Sequence, residues 1–168
     1  MQAQVDAISP ILVELKLEVP WAEVNESLEA AYRNLQRTAK VLGGQYTLWH
    51  EDTLGELEMR IYFAQASTDS LAARAAQGWG GDRLYAFRSA TGQMAVVWLS
   101  TWDTSRDADE AQAAAEQVLV SAPAGSVVER SGTALLIARG IPTELQASVR
   151  AQFTSWANAR DAVPSLAD

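Results

Sequence analysis

The sequence contains no cysteine. It therefore has no disulfide, no thiol nucleophile and no thiolate ligand for zinc or an iron–sulfur cluster. Its single histidine, His50, excludes a two-histidine metal site within one protomer. A phosphate-binding loop, a dinucleotide-binding fingerprint, a serine nucleophile elbow and a zinc-binding helix are all missing. We therefore predict that the protein is not an enzyme and uses no cofactor or metal.

Basic residues are the minority, with 13 Lys and Arg against 21 Asp and Glu and a formal net charge of -8. Such a negative field repels nucleic-acid phosphates and anionic lipids unless a local basic patch overcomes it. The densest basic stretch, Arg33, Arg37 and Lys40, has helical spacing and acidic neighbours, which indicates the solvated face of a helix. We predict neither a nucleic-acid nor a membrane partner.

Long apolar runs are also missing. No segment approaches the roughly 18 apolar residues of a membrane span, and the chain does not start with a basic region followed by an apolar run. We expect a cytoplasmic protein. With 168 residues, of which 48% are hydrophobic, the chain suits a single compact core.

Hydrophobic periodicity predicts an α+β fold. Strands are predicted at 5–8, 11–19 and 45–49, and hairpins at 84–88 with 93–102 and at 126–130 with 133–139. Helices are predicted at 21–42, 71–77, 104–120 and 142–160. The segment 54–64 fits either a helix or a strand. A hairpin followed by a helix thus occurs three times, which favours an antiparallel sheet with the helices packed on one face. Strand 93–102 is apolar on both faces and is placed at the centre. We expect a strand-strand-helix segment 1–43, a body 44–162 in one compact domain with it, and a frayed tail 163–168.

Two acidic groups are weighed as metal or catalytic sites. His50, Glu51 and Asp52 could bind a metal weakly or supply a base, but an exposed polar turn explains them more simply. The residues Asp103, Asp107, Asp109 and Glu110 lack the spacing of a calcium loop. Asp103 or Thr104 is expected to cap the helix that follows, and capping and dipole complementation by Asp103 and Asp107 account for that second group.

The segment 79–83, Trp-Gly-Gly-Asp-Arg, is the most unusual local feature. Its glycines permit a tight turn or a close backbone approach, and Asp82 with Arg83 could pair or anchor a ligand. A structural corner and a binding surface both remain open. Six tryptophans would also suit a recognition surface. Since Trp98 and Trp156 fit the core pattern, the candidate binding residues are Trp21, Trp49, Trp79, Asp82, Arg83 and Trp102.

The first 43 residues contain the stretches MQAQVDAISP, LKLEVP and LEAAYRNLQRTAKV in strand-strand-helix order. In these they resemble the start of the ribosome-binding domain of trigger factor, which implies a chaperone-like protein that binds another polypeptide. Trigger factor docks on the ribosome through a Gly-Phe-Arg loop. Here Gly43 is followed by Gly44 and Gln45, so we predict that the protein does not bind ribosomes.

A second resemblance covers residues 46 to about 115. The stretches DTLGEL at 52–57 and GWGGDR at 78–83, with VW at 97–98, WD at 102–103 and DA at 107–108, are similar to an accessory domain of bacterial zinc-metallopeptidase-like proteins. That domain lies C-terminal to the catalytic part, and the metal motif of the group is absent here. The resemblance implies an accessory module without peptidase activity.

Two functions are therefore expected. The first is a non-catalytic polypeptide-binding or chaperone-like protein, with self-association left open. The alternative is an accessory ligand- or peptide-recognition module that uses Trp79, Asp82 and Arg83, and a small hydrolase using His50 is the third and weakest reading. An exposed apolar patch would favour the first function, and a closed pocket at 79–83 would favour the second.

Overall fold

A computed structural model describes residues 42, 44–120, 122 and 124–161 of the chain, with side chains described as far as Asn158. The predicted strands 5–8 and 11–19, most of the helix 21–42, the candidate residue Trp21 and the tail 163–168 lie outside the described residues. The boundary predicted between 1–43 and 44–162 therefore stays a prediction.

Five strands and four helices make up the described part. They follow the order β1 (Tyr46–Asp52), α1 (Glu56–Phe63), α2 (Asp69–Ala76), β2 (Trp79–Ser89), β3 (Met94–Trp102), α3 (Ser105–Leu119), β4 (Val127–Ser131), β5 (Ala134–Arg139) and α4 (Thr143–Asp161). The strands form one sheet in the order β1-β2-β3-β5-β4, and every neighbouring pair is antiparallel. The α+β class, both hairpins and the central position of β3 are confirmed.

Helices cover both faces of this sheet, and the expectation of one covered face is wrong. On one face, Trp98 and Leu135 pack against apolar residues of α1, α2 and α3. On the other, Val97 and Leu136 pack in one cluster with Phe153 of α4. Because β3 and β5 carry apolar side chains on both faces, each face needs a helix to remove it from water.

The segment 54–64, ambiguous by sequence, contains helix α1. Its Met59 and Phe63 are one helical turn apart and are fully buried on the same side. Strand β1 ends before it and includes His50, Glu51 and Asp52, so these residues belong to an exposed strand end and not to a turn. His50 Nε2 lies 3.5 Å from Asp52 Oδ2, with both side chains about half exposed.

Helix α3 begins with a capping box formed by Thr104 and Asp107. The Thr104 hydroxyl accepts a hydrogen bond from Asp107 N at 3.2 Å, and Thr104 N donates to the Asp107 carboxylate at 3.1 Å. Thr104, and not Asp103, is therefore the cap. The other acidic residues of this group form ion pairs: Glu110 with Arg74 and Arg106, and Asp109 with Arg130.

Gly140 ends strand β5 in a conformation that only glycine adopts easily. Its φ is +68°, and a Cβ at this position would overlap the Met94 carbonyl oxygen of the neighbouring strand. Gly92, in the β2–β3 turn, has a similar φ of +83°, but its Cβ would come no closer than 3.9 Å to another atom. A comparison of substitutions at Gly92 and Gly140 therefore distinguishes the effect of backbone strain from that of steric overlap.

We predict that Gly92→Ala lowers the free energy of unfolding by about 1 kcal/mol, because it introduces strain alone. Gly140→Ala should cost about 3 kcal/mol, because strands β3 and β5 must also move apart. Urea unfolding followed by circular dichroism measures both values. Equal losses for the two variants would contradict the predicted overlap.

Candidate functional site

A cleft lies between helix α1 and the sheet. Two rows of side chains from β2, β3 and β5 form its floor. Leu84, Trp98 and Ile137 are neighbours in register in the first row, and Val96 is the register neighbour of Arg139 in the second. Register alone brings these five side chains together, because they come from three different strands.

Helix α1 and its flanking residues form the wall of the cleft. The side chains that line it are Leu54, Glu58, Ile61, Tyr62 and Gln65. This spacing of three and four residues places them along one side of the helix. Met59 and Phe63 anchor the other side in the core. The enclosed space is about 300 Å³ and is partly open to solvent.

Two polar atoms of cleft-lining residues are buried without a hydrogen-bond partner among the described residues. They are the hydroxyl of Tyr62 and Nε1 of Trp98. The two rings meet edge to face, with centroids 5.4 Å apart and an interplanar angle of 76°. A buried donor without an acceptor costs about 1–3 kcal/mol. An ordered water or a ligand group that accepts from these atoms would remove this cost.

The Tyr62 hydroxyl is protonated at neutral pH. Burial raises its pKa above the ordinary 10.0, although the positive charge of Arg139 acts in the opposite direction. The phenol can therefore donate a hydrogen bond, as can the indole N–H of Trp98, which is only a donor. Arg139, an exposed residue at the end of β5, adds a guanidinium to the same cleft.

The outer side of α1 also exposes large apolar side chains. Leu57 is 62% exposed and Ile61 is 59% exposed, one helical turn apart. Ile61 lines the cleft as well, so its side chain connects the cleft with this exposed surface. Adjacent exposed apolar residues beside a cleft are typical of an interaction surface.

Segment 79–83 is part of strand β2 and not a turn. The β2–β3 register is interrupted by a bulge between Trp79 and Gly81. The Asp82 carboxylate accepts hydrogen bonds from Leu54 N at 2.9 Å, Gly55 N at 2.7 Å and Trp79 Nε1 at 3.1 Å. Trp79 and Asp82 therefore fix the start of α1.

Arg83 and Asp82 do not pair with each other. Arg83 Nε lies 3.8 Å from Glu51 Oε1 on the neighbouring strand β1. Trp79, Asp82 and Arg83 thus all have contacts within the domain, and none of them is among the residues that line the cleft described above.

The remaining predicted tryptophans differ in exposure. Trp102 is 3% exposed, donates from Nε1 to Ser100 Oγ at 3.2 Å and stacks on Phe63, so it belongs to the core and not to a binding surface. Its position on β3 turns it toward the helices α1 to α3. Trp49 is 63% exposed on β1, 6.0 Å from His50 between ring centroids, and it stays a candidate.

Sequence reasoning missed Tyr62 and Arg139 and assigned Trp98 to the core. The helical spacing of Leu54, Ile61 and Tyr62 was one available signal. These three residues lie on a different side of the short helix from the buried Met59 and Phe63, so the helix has apolar side chains on two sides. The register that places Trp98 and Arg139 opposite that helix has no local sequence signal.

Among the residues that the structure describes, no three His, Asp or Glu side chains lie close enough together to hold a metal ion. No helix formed by them is long and apolar enough to cross a membrane.

Comparison with known proteins gives one family. The family model described as "Domain of unknown function (DUF8575)" matches residues 45–163. No curated protein and no solved structure matches the chain significantly. All residues that line the cleft lie within the matched range.

The role of Asp82 can be tested by replacing its carboxylate. We predict that Asp82→Asn lowers the free energy of unfolding by about 1–2 kcal/mol, because the amide NH₂ must face another N–H donor. Asp82→Ala should cost about 2–3 kcal/mol, because three N–H donors lose their acceptor. Urea unfolding followed by circular dichroism gives these values.

Asp109→Asn is the matched control. Asp109 is 59% exposed and pairs with Arg130 at 2.9 Å, so its replacement should cost about 0.5 kcal/mol or less. An Asp82→Asn variant as stable as this control would mean that Asp82 does not hold α1.

Proposed function

The chain belongs to the DUF8575 family, and we propose that its described domain is a non-catalytic module that binds another polypeptide through an apolar side chain held in the α1 cleft. The observation that carries the proposal is the continuity between the apolar cleft and the exposed Leu57 and Ile61. A polypeptide can place one side chain in the cleft while neighbouring residues contact the outside of α1.

The size of the cleft favours a side chain over a large ligand. Small-molecule sites occupy about 300–1,000 Å³, and the cleft lies at the lower end of this range. One or two apolar side chains fill such a space. Burial of a Leu or Phe side chain contributes roughly 1.5–3 kcal/mol, which is sufficient for an anchor in a modest interface.

The chemistry of the lining favours binding over catalysis. The residues that line the cleft include no histidine, cysteine, serine, threonine or lysine. Its polar groups are an indole, a neutral phenol, an amide, a guanidinium and the exposed carboxylate of Glu58. These groups suit orientation of a ligand by hydrogen bonds and charge.

Recognition through Trp79, Asp82 and Arg83 has less support. Two of the three side chains fix the start of α1, and the third pairs across strands. We therefore assign that segment a supporting role for the cleft wall.

We predict that wild-type protein selects peptides with a large aliphatic or aromatic residue from a random phage-displayed library. Ile61→Asp should weaken binding of the selected peptides by about tenfold or more, because a carboxylate at the cleft rim cannot be desolvated against an apolar side chain. Fluorescence polarisation with labelled peptides measures the loss.

Leu71→Asp is the control for this experiment. Leu71 is 58% exposed on α2, nearly the same as Ile61, but it does not line the cleft. Its replacement should leave peptide affinity unchanged. Equal losses for both variants, or selected peptides without a common apolar residue, would contradict the proposed site.

A further inference from the structure

In the part of the chain that the structure describes, two arginines without an ion pair lie on the face of the sheet that forms the cleft. Six arginines of the described part lie within 4.0 Å of a carboxylate: Arg60, Arg74, Arg83, Arg106, Arg130 and Arg150. Among the residues up to Asn158, whose side chains the structure describes, Arg88 and Arg139 are the arginines with neither an ion pair nor a hydrogen bond of the side chain. Both residues are exposed, so their guanidinium groups are accessible to a ligand.

The sheet register places both unpaired arginines on the cleft face. Arg139 is the register neighbour of Val96. Arg88 is the register neighbour of Met94, which precedes Val96 by two residues in β3. Since side chains alternate along a strand, Arg88 lies on the same face as Leu84. With one strand between them, the two arginines are about 12 Å apart at Cα. Arg139 lines the cleft, whereas Arg88 shares its face of the sheet but is not among the lining residues.

The two unpartnered polar atoms in the cleft complement this charge. Trp98 is 5% exposed, and its indole N–H can only donate. The neutral Tyr62 hydroxyl also donates. A ligand group that offers several acceptor lone pairs and a negative charge would satisfy these donors and Arg139. A carboxylate is the group in a polypeptide that has these properties.

We infer that the cleft recognises an apolar side chain that lies next to a carboxylate, with Arg139 as the ion-pair partner and the Trp98 indole and Tyr62 phenol as hydrogen-bond donors. The inference rests on the proposed function, because it specifies which polypeptide segment the cleft accepts. The carboxylate comes from the C-terminus of the partner or from an Asp or Glu side chain.

Binding requires a local movement of the cleft wall. The Tyr62 hydroxyl and Trp98 Nε1 are covered, so the phenol must turn aside before an acceptor can reach either atom. Tyr62 lies in the last turn of the eight-residue helix α1, and Gln65 beyond it is exposed. The carboxylate of Glu58, which also lines the cleft, repels an anionic ligand. Its replacement should therefore affect the binding of a carboxylate in the opposite direction from the replacement of Arg139.

Three acetylated pentapeptides test the inference. They are Ac-AAAAL with a free C-terminal carboxylate, the same peptide as its C-terminal amide, and Ac-AAALE as a C-terminal amide. Isothermal titration should show that at least one carboxylate peptide binds about tenfold more tightly than the neutral amide. The comparison of the two carboxylate peptides identifies the terminal or the side-chain source.

Arg139→Gln should abolish this preference and leave the affinity for the neutral amide unchanged. Glu58→Gln should increase the preference, and raised salt should reduce it. Arg106→Gln is the control, because Arg106 is 78% exposed on α3 and does not line the cleft. Tyr62→Phe should weaken the carboxylate peptides more than the amide.

Equal affinity of the acid and amide peptides, with binding still weakened by Ile61→Asp, would overturn the carboxylate inference and leave the proposed function standing. A preference that persists in Arg139→Gln would also overturn it. If none of the three peptides binds, both the inference and the apolar anchor are contradicted.

Discussion

The carboxylate of Asp82 joins the bulged start of strand β2 to the residues that lead into helix α1. Gly55 is the N-cap of α1 and has no side chain with which to cap it. Asp82 supplies acceptors for Leu54 N and Gly55 N, and the Trp79 indole donates to the same carboxylate. Because α1 is the wall of the cleft, its distance from the sheet depends on this link and on the buried Met59 and Phe63.

The sheet forms the floor of the cleft and accounts for the combination of apolar and charged side chains there. In the core cluster on this face, α3 contributes small alanine side chains, whereas α1 contributes the larger Met59 and Phe63 and lines the cleft over Trp98 and Ile137. The floor ends at Val96 and Arg139, where the apolar rows meet a guanidinium group. An apolar anchor with an adjacent charged contact follows from this geometry. The cleft lies within the range that defines the family match.

The sequence predicted the parts of this fold that depend on local signals. Turn residues and alternation predicted both hairpins, and the start of α3 was predicted at Asp103 or Thr104, of which Thr104 is the cap. Eight residues of α1 were too few to separate helix from strand. The side of the sheet on which α4 packs, and the meeting of Tyr62, Trp98 and Arg139, depend on long-range register, which no local pattern encodes. The segment at Trp79 and Asp82 was predicted to be a structural corner or a binding surface, whereas it belongs to the bulged strand β2 and its contacts are internal.

The most direct measurement of the central claim is a ¹⁵N NMR spectrum of the tryptophan indole N–H groups, assigned by single Trp→Phe variants. On addition of a peptide selected by the wild-type protein, the Trp98 resonance should move to the position of a hydrogen-bonded indole. The Trp102 resonance should stay, because its N–H already donates to Ser100 in the core. A shift at the exposed Trp49 with no change at Trp98 would contradict the account and place binding at strand β1.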